Sequence, residues 1–349
     1  MADRLRSVFL RESVMTANVH PLGSVQAGGG PLVSIVMSVY NAGEYLRPSL
    51  LSIINQTYRN LDIVIIDDGS TDGCFETVQD LLHDERIRVT HQANATKPVA
   101  VNRALETIRG EFYAIQDADD ISHPKRIERQ VLALLSKPHL AAAFCGNELI
   151  INGKSIAPLF SPKTEEDCRA YINAFRMPAH DPTGMFRVSL VGDMRFDTSL
   201  PVAETYDYIL RIGERFPMIV LGECLYSYRI LPNSLTRRAP LWRKQLEIDA
   251  FRRACERRGL HDEPLGKTSD RKSRNCMLDN NIAAHFMKSV LDLRRSNRRW
   301  SALKVGWRCA CLHPTDPHYY KALAYALIPH GVTSHLRRDF PSGSLEAAK

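Results

Sequence analysis

The chain has 349 residues, 44% of them hydrophobic and 24% charged, with a net charge of +7, which supports a globular protein with a full core and excludes a disordered one. No apolar run approaches the roughly 18 residues needed to span a bilayer, and the opening "MADRLRSVFLRESVMTANVH" lacks the apolar centre of a secretory signal, so a cytoplasmic location is expected. The 8 cysteines include no Cys-x-x-Cys pair, which argues against a zinc site or a disulfide framework.

In chain order, "VSIVMSVY" reads as a buried strand and "GEYLRPSLLSIINQT" as a helix with apolar residues at helical spacing. "LDIVIIDDGSTD" is a second buried strand ending in acids, "GCFETVQDLLHD" a second helix and "IRVTHQ" a short third strand. "KPVAVNRALETIRG" is a helix closed by Gly110, "EFYAIQDADD" a fourth strand, "PKRIERQVLALLSK" a helix with Pro124 in its first turn, and "LAAAFCGNELI" a further strand. Strands apolar on both faces that alternate with helices predict a doubly wound α/β domain around a mostly parallel sheet.

Ligands bind such sheets at the carboxyl ends of the strands. Here those ends carry Ser38, Tyr40 and Asn41, then Asp67 and Asp68, then Asp117 and Asp119. The first strand-to-helix turn, "SVYNAGEY", has no Gly-x-Gly-x-x-Gly, and no P-loop is present, so a dinucleotide-binding or P-loop site is disfavoured. The Gly28–Gly30 run precedes the first strand and reads as a linker. The acids of "QDADD" repel one another and need solvent or a cation among them. "DADDISHPKRIE" lacks the glycine of an EF-hand loop.

"VSIVMSVYNAGEYLRPSLLSIINQTYRNLDIVIIDDGSTDGC", followed by "NRALETIRGEFYAIQDADDISHPKRI", resembles the family 2 glycosyltransferases of the bacterial polysaccharide-assembly type. The resemblance implies the GT-A fold, an α/β unit with a mostly parallel central sheet flanked by helices, over residues 31–236. Within it, 31–150 would form the nucleotide-sugar half and 151–236 the acceptor half, with a leader over 1–30 and a basic helical extension over 237–349. It also implies an inverting transfer from a nucleotide-diphosphate sugar, UDP-linked by preference, to a glycan or lipid-linked acceptor in exopolysaccharide or cell-surface polysaccharide synthesis.

By resemblance, Ser38 and Tyr40 line the base pocket and Asp68 accepts from the base. Asp119 holds Mg²⁺ or Mn²⁺, which suit oxygen ligands, and Asp117 lies nearer the ribose or holds the metal through water. Lys97 and Asn102, at the start of the third helix, face the same edge and would position the nucleotide, a solvated Lys97 being the alternative. Ser70 and Asp72 read more simply as a turn and a helix cap, and Asp120 as a cap of the next helix.

In the second half, "AHDPTGMFRVSLV" resembles the family's His segment, and "VAETYDYILRIGERFP" resembles its Ala-Glu-Asp-x-Asp helix start, with Thr205 where the general base is usually assigned. A Thr hydroxyl is too weak a group to take a proton at neutral pH, which passes the role to Glu204 first and Asp207 second. These two lie three residues apart and share a helical face. "CLYSYRILPNSLT" resembles the closing strand; Arg229 and Ser234 match and Leu231 replaces a His. Arg229 would bind pyrophosphate or hold the sheet edge. Thr205 and Leu231 leave a second class open, a non-catalytic sugar-nucleotide-binding subunit or scaffold.

From Arg237 onward basic residues exceed acidic ones by about a dozen. Without aromatics interleaved along a strand, this pattern argues against nucleic acid and fits a solvated helix face or an anionic membrane surface, peripheral at the inner face of the cytoplasmic membrane.

Overall fold

The structure is a computed structural model that describes residues 29–151, 154–156, 161–231, 240–260, 290, 294, 299–312 and 317–328. Ser234, the boundary near residue 236 and nearly all of the 1–30 leader lie outside the described residues. In chain order the elements are β1 (Val33–Val39), α1 (Leu46–Ile54), β2 (Leu61–Asp67), β3 (Ile87–His91), α2 (Lys97–Leu105), β4 (Phe112–Asp117), β5 (Ile121–Ser122) and α3 (Arg126–Ser136). There follow β6 (Ala142–Ile151), β7 (Lys154–Ile156), α4 (Glu165–Asn173), β8 (Gly184–Arg187), α5 (Val188–Val191), α6 (Glu204–Arg215) and β9 (Met218–Ile230). The last described helices are α7 (Pro240–Arg257), α8 (Arg299–Leu312) and α9 (Pro317–Leu327).

The strands form one sheet in the order β3-β2-β1-β4-β8-β6-β9-β5, with β7 paired to β6. β1 to β4 are parallel, as the alternation of strand and helix predicts. Beyond them the sheet is mixed, because β8 runs antiparallel to both β4 and β6, and β5 antiparallel to β9. Side chains alternate across each strand. Val33, Ile35, Met37 and Val39 of β1 therefore meet Leu46, Leu50 and Ile53 of α1 and Ile127 and Val131 of α3 on one face. Val36, with Val64 and Ile66 of β2, packs on the other face with Ala100, Val101 and Ala104 of α2 and Tyr208, Ile209 and Ile212 of α6. Burial on both faces is what makes β1 and β2 read as continuous apolar runs.

The expected helix over "GCFETVQDLLHD" is not formed. The segment makes two 3₁₀ turns, Glu76–Val78 and Leu81–His83, and its apolar residues Phe75, Val78 and Leu81 recur every three positions, the period of that tighter helix. Gly110 does not close α2, which ends at Leu105 with Glu106 at the cap position; it serves the turn into β4 instead. A Cβ there would stand 2.5 Å from the Phe112 carbonyl oxygen and 2.6 Å from the Ser34 nitrogen, so only glycine lets the turn into β4 pass this close to β1.

Candidate active site

The parallel register brings the predicted polar edge together. Ser38 of β1 pairs with Asp117 of β4, Val39 with Asp67 of β2, and Asp67 with His91 of β3. Tyr40, just past β1, is half exposed at that edge. Ser70 accepts from the Asn41 amide, and Asp72 accepts from the Gly43 and Cys74 amides, so both serve the turn, as their simpler reading has it.

The two aspartates that end β2 are also engaged within the chain. Asp67 accepts from the Ser70 amide and meets the His91 ring at 2.7 Å. Asp68 accepts from Gln92 Nε2 and from the amides of Ala95 and Thr96, so its carboxylate fixes the loop that leads into Lys97. Asn102 is turned elsewhere: its amide donates to the Phe196 carbonyl and accepts from the Phe196 amide, each at 2.8 Å, and clamps the segment before α6.

The acids of "DADD" have three different environments. Lys97 Nζ sits 2.7 Å from Asp117 Oδ1, a cation supplied by the chain itself. Burial opposes the Lys97 charge, but Asp117, Asp181 and Glu204 outweigh it and hold the ammonium well above its ordinary range. Asp119 has no such partner; burial and the neighbouring Asp117 push its carboxyl up to about 6. Asp120 is fully buried, and burial with Asp119 and Asp117 beside it drives its carboxyl well above the usual range.

Asp120 does not cap the following helix. Its Oδ1 accepts from the Arg229 amide at 2.7 Å and its Oδ2 is buried without a partner, while Lys125 occupies the cap position. The Arg229 side chain donates through Nε to the Asp119 carbonyl and lies over the Tyr45 ring at 4.8 Å. Arg229 thus binds the acid loop from below through backbone and side chain together.

The second half closes over this edge. Glu204 opens α6 after Ala203, whose φ of +76° is left-handed, a backbone cost that a non-glycine residue bears only where its surroundings enforce it. Burial first, then Asp181 and Asp117, push the Glu204 carboxyl up to about 7 against the opposing pull of Lys97. Thr205 Oγ1 lies 3.3 Å from Glu204 Oε1 and also bonds Asp181. Asp207 faces away from this group: Arg211 donates to it at 2.7 Å and Arg257 at 2.9 Å, which locks it into the contact between α6 and α7.

Asp181 is the residue that the sequence reading missed. It begins the turn Asp181–Thr183, with Oδ1 3.2 Å from His180 Nδ1. Burial works against its charge, yet His180, Lys97 and Thr205 hold its carboxyl well below the usual carboxylate range. The available signal was the His-Asp-Pro sequence before an apolar strand, where Pro182 favours a turn start. His180 Nε2 is buried without a partner, and the ring packs edge-on against Tyr228 at 4.4 Å.

Beneath the acid loop lies a buried guanidinium. Arg126 donates to Gln116, Ser122 and Gln130 and to the carbonyls of Ile115 and Pro182, with Tyr226 under its face at 4.8 Å. One side chain thereby joins β4, β5 and the turn that carries Asp181.

Comparison with known proteins identifies the family of the chain. The family described as Glycosyl transferase family 2 matches residues 34–177. The O-antigen biosynthesis glycosyltransferase WbnJ of Escherichia coli is 31% identical over 216 residues, 60% of this chain and 83% of its own. An uncharacterized glycosyltransferase of Haemophilus influenzae is 31% identical over 217 residues, 58% of this chain and 67% of its own. The chain belongs to glycosyl transferase family 2. It is a glycosyltransferase, and its fold is GT-A-like.

Solved structures support the fold of this glycosyltransferase. S. aureus TarS 1–349 in complex with UDP-GlcNAc superposes with a TM-score of 0.52 at 18% identity, over 85% of this chain and 79% of that one. A longer TarS chain, matched with a TM-score of 0.50 at 16% identity, is covered over 55% of its length. Mannosyltransferase PcManGT of Pyrobaculum calidifontis, in complex with GDP-Man and Mn²⁺, gives a TM-score of 0.50 at 16% identity, over 89% of this chain and 88% of that one.

Divalent metals are common in this family. Among the described residues no group of three or more His, Cys, Asp or Glu side chains is arranged to hold a metal. Mg²⁺ and Mn²⁺ do not need one, since one or two carboxylates complete their shell with substrate phosphates and water. Asp119, raised by burial and Asp117 against the weaker pull of Lys97 and Arg229, is a hard oxygen donor without an ion-pair partner among the described residues, and the residues fit such a cation.

Proposed function

We propose that this glycosyltransferase inverts the anomeric centre as it moves a sugar from a nucleotide-diphosphate donor, UDP-linked, to a glycan or lipid-linked acceptor in exopolysaccharide or cell-surface polysaccharide synthesis. The observation that carries this reading is Glu204, a buried carboxyl pushed up to about 7 that shares Lys97 with Asp117 of the acid loop. A base is most effective when its pKa lies near the working pH. Glu204 meets that condition, and Asp207 is tied to two guanidinium groups.

Glu204 takes the proton from the acceptor hydroxyl, whose oxygen forms the new bond to the anomeric carbon. The bond from that carbon to the diphosphate oxygen breaks, and its electron pair leaves with the nucleoside diphosphate. Asp181 stays ionised and adds to the effect of burial in raising the basicity of Glu204. Lys97 offsets the charge of Asp117 and orients it toward the donor. Asp119 would hold Mg²⁺ or Mn²⁺, which supplies compensation for charge on the departing diphosphate. Ser38, Tyr40 and Asp68 border the nucleoside end, Asp68 by fixing the loop rather than by a free carboxylate.

The E. coli relative's role in O-antigen biosynthesis and the nucleotide sugars in the neighbouring structures support the substrate class. We assign the protein to the cytoplasm, at the inner face of the membrane through its basic 237–349 region. Among the described residues no helix is long and apolar enough to cross a membrane. The test is a thermal-shift screen of nucleotide sugars with Mn²⁺, followed by nucleotide release from the donor that binds. Stabilisation with release supports the enzyme. Metal-dependent stabilisation without any release, with acceptors supplied, would instead favour the binding-subunit reading left open by Thr205 and Leu231.

A further inference from the structure

The described part of the C-terminal region carries an exposed surface that includes none of the residues assigned to the transfer. Trp300 and Trp307 of α8 are 80% and 63% exposed, more than any other large hydrophobic side chain among the described residues. Together with Lys304 and Cys311, both exposed, they recur at intervals of four, three and four residues, which places all of them on one stripe of the helix. The stripe is about 16 Å long at 1.5 Å per residue. The opposite face of α8 is already used. Ala302, Val305, Cys309 and Ala310 are buried, and a Cβ on Gly306 would stand 2.7 Å from Leu323 Cα, so α8 and α9 pack in close contact there.

Two exposed indoles on one stripe cost free energy in water unless something covers them. The chemistry around them points to what that is. Arg299 and Lys304 on α8, and Lys321 on α9, are exposed. Residues 237–349 contain 23 Lys and Arg against 11 Asp and Glu, although the rest of the chain is acidic. Indole rings with cations among them match the headgroup zone of an anionic bilayer, where a ring finds an apolar body on one side and hydrogen-bond acceptors on the other, and where cations meet lipid phosphates.

Resting on the membrane-surface reading above, we infer that the Trp300–Lys304–Trp307 face of α8 is the element that lies in the interface of an anionic lipid surface, with α9 behind it as its support. Trp300 and Trp307 enter the headgroup layer, Lys304 between them meets the lipid phosphates, and the exposed Arg299 and Lys321 add positive charge at the flanks. Docking therefore requires both the aromatic and the cationic side chains.

The experiment uses the full chain carrying Trp242→Phe, which leaves Trp300 and Trp307 as its only fluorophores of this type. It is mixed with vesicles of phosphatidylcholine alone or with about one part in four phosphatidylglycerol. The expected result is co-sedimentation with a blue-shifted indole emission on the anionic vesicles only, reversed by salt. Trp300→Ala/Trp307→Ala and, separately, Arg299→Glu/Lys304→Glu should each weaken partition by about tenfold or more. All these side chains are exposed, and an unchanged unfolding midpoint verifies that the variants fold.

Equal partition of the double-alanine variant would overturn the assignment of this face while leaving the membrane reading intact. No partition of the parent chain would overturn both. A blue shift that grows with protein concentration in the absence of vesicles would show that a second copy covers the face, and would overturn the lipid assignment. Nucleotide release from the soluble donor tests the transferase reading separately, since Trp300 and Trp307 have no part in it.

Discussion

Glu204→Gln separates the contribution of this carboxylate to catalysis from its effect on the fold. In the folded chain its carboxyl is raised from 4.5 to about 7, chiefly by burial. A carboxyl that holds its proton more tightly when folded gives the native state more bound protons than the unfolded state between those two values. Stability therefore falls as pH rises through that window, and the loss is complete above about pH 7. At roughly 1.4 kcal/mol per unit, the cost at pH 8 is about 3 kcal/mol. The residue is 8% exposed, so solvent screens little of it.

Glutamine keeps the shape and carries no charge. Urea unfolding of wild type and Glu204→Gln should coincide near pH 4.5, and the variant should be the more stable by about 1–3 kcal/mol at pH 8. Its turnover should drop by a factor of about 10² to 10⁴, the usual worth of a general base. A stability difference that does not change with pH would refute the claim that Glu204 is held against its charge. Turnover within about tenfold of wild type would refute its role as base.

Asp181→Asn removes the fixed anion beside Glu204, so the acidic limb of kcat/KM against pH should move down from about 7, by about one unit; a limb that stays in place would show that Asp181 does not set the base. Asp119→Ala should abolish the Mn²⁺-dependent part of nucleotide-sugar binding in thermal-shift titrations while the metal-free unfolding midpoint is kept or raised, and undiminished metal dependence would remove Asp119 as the ligand. Gly110→Ala places a methyl 2.5 Å from a carbonyl oxygen and should lower stability by about 1–3 kcal/mol in urea titrations without changing the metal dependence of donor binding.

The N-terminal half of the fold was legible because its signals are local. β1 and β2 are buried on both faces and read as largely apolar runs, and the polar residues at their ends, Ser38 and Tyr40 for β1 and Asp67 and Asp68 for β2, mark the edge where a ligand is expected. The tight 3₁₀ turns after β2 were misread because a three-residue apolar period resembles a helical one over so short a span. Asn102 and Asp207 looked suitable from position alone. Their partners, Phe196 and Arg257, lie 94 and 50 residues away, and no local pattern announces such contacts. Asp181 escaped notice for the same reason: its meaning depends on Lys97, Thr205 and Glu204, which only the fold brings to it.

The latch between Arg229 and the acid loop also has a consequence for the nascent chain. The Arg229 amide that Asp120 accepts from lies 109 residues further along, on the strand that also pairs with β5. At translation rates of about 5–20 residues per second, the ribosome needs roughly 5–20 s to supply it. During that interval β1 to β4 have all their parallel partners, while the loop after β4 lacks the strand that fixes it. Ribosome-bound chains stalled before residue 218 should therefore expose a protease-sensitive site near Asp119 that chains extended well past residue 230 protect.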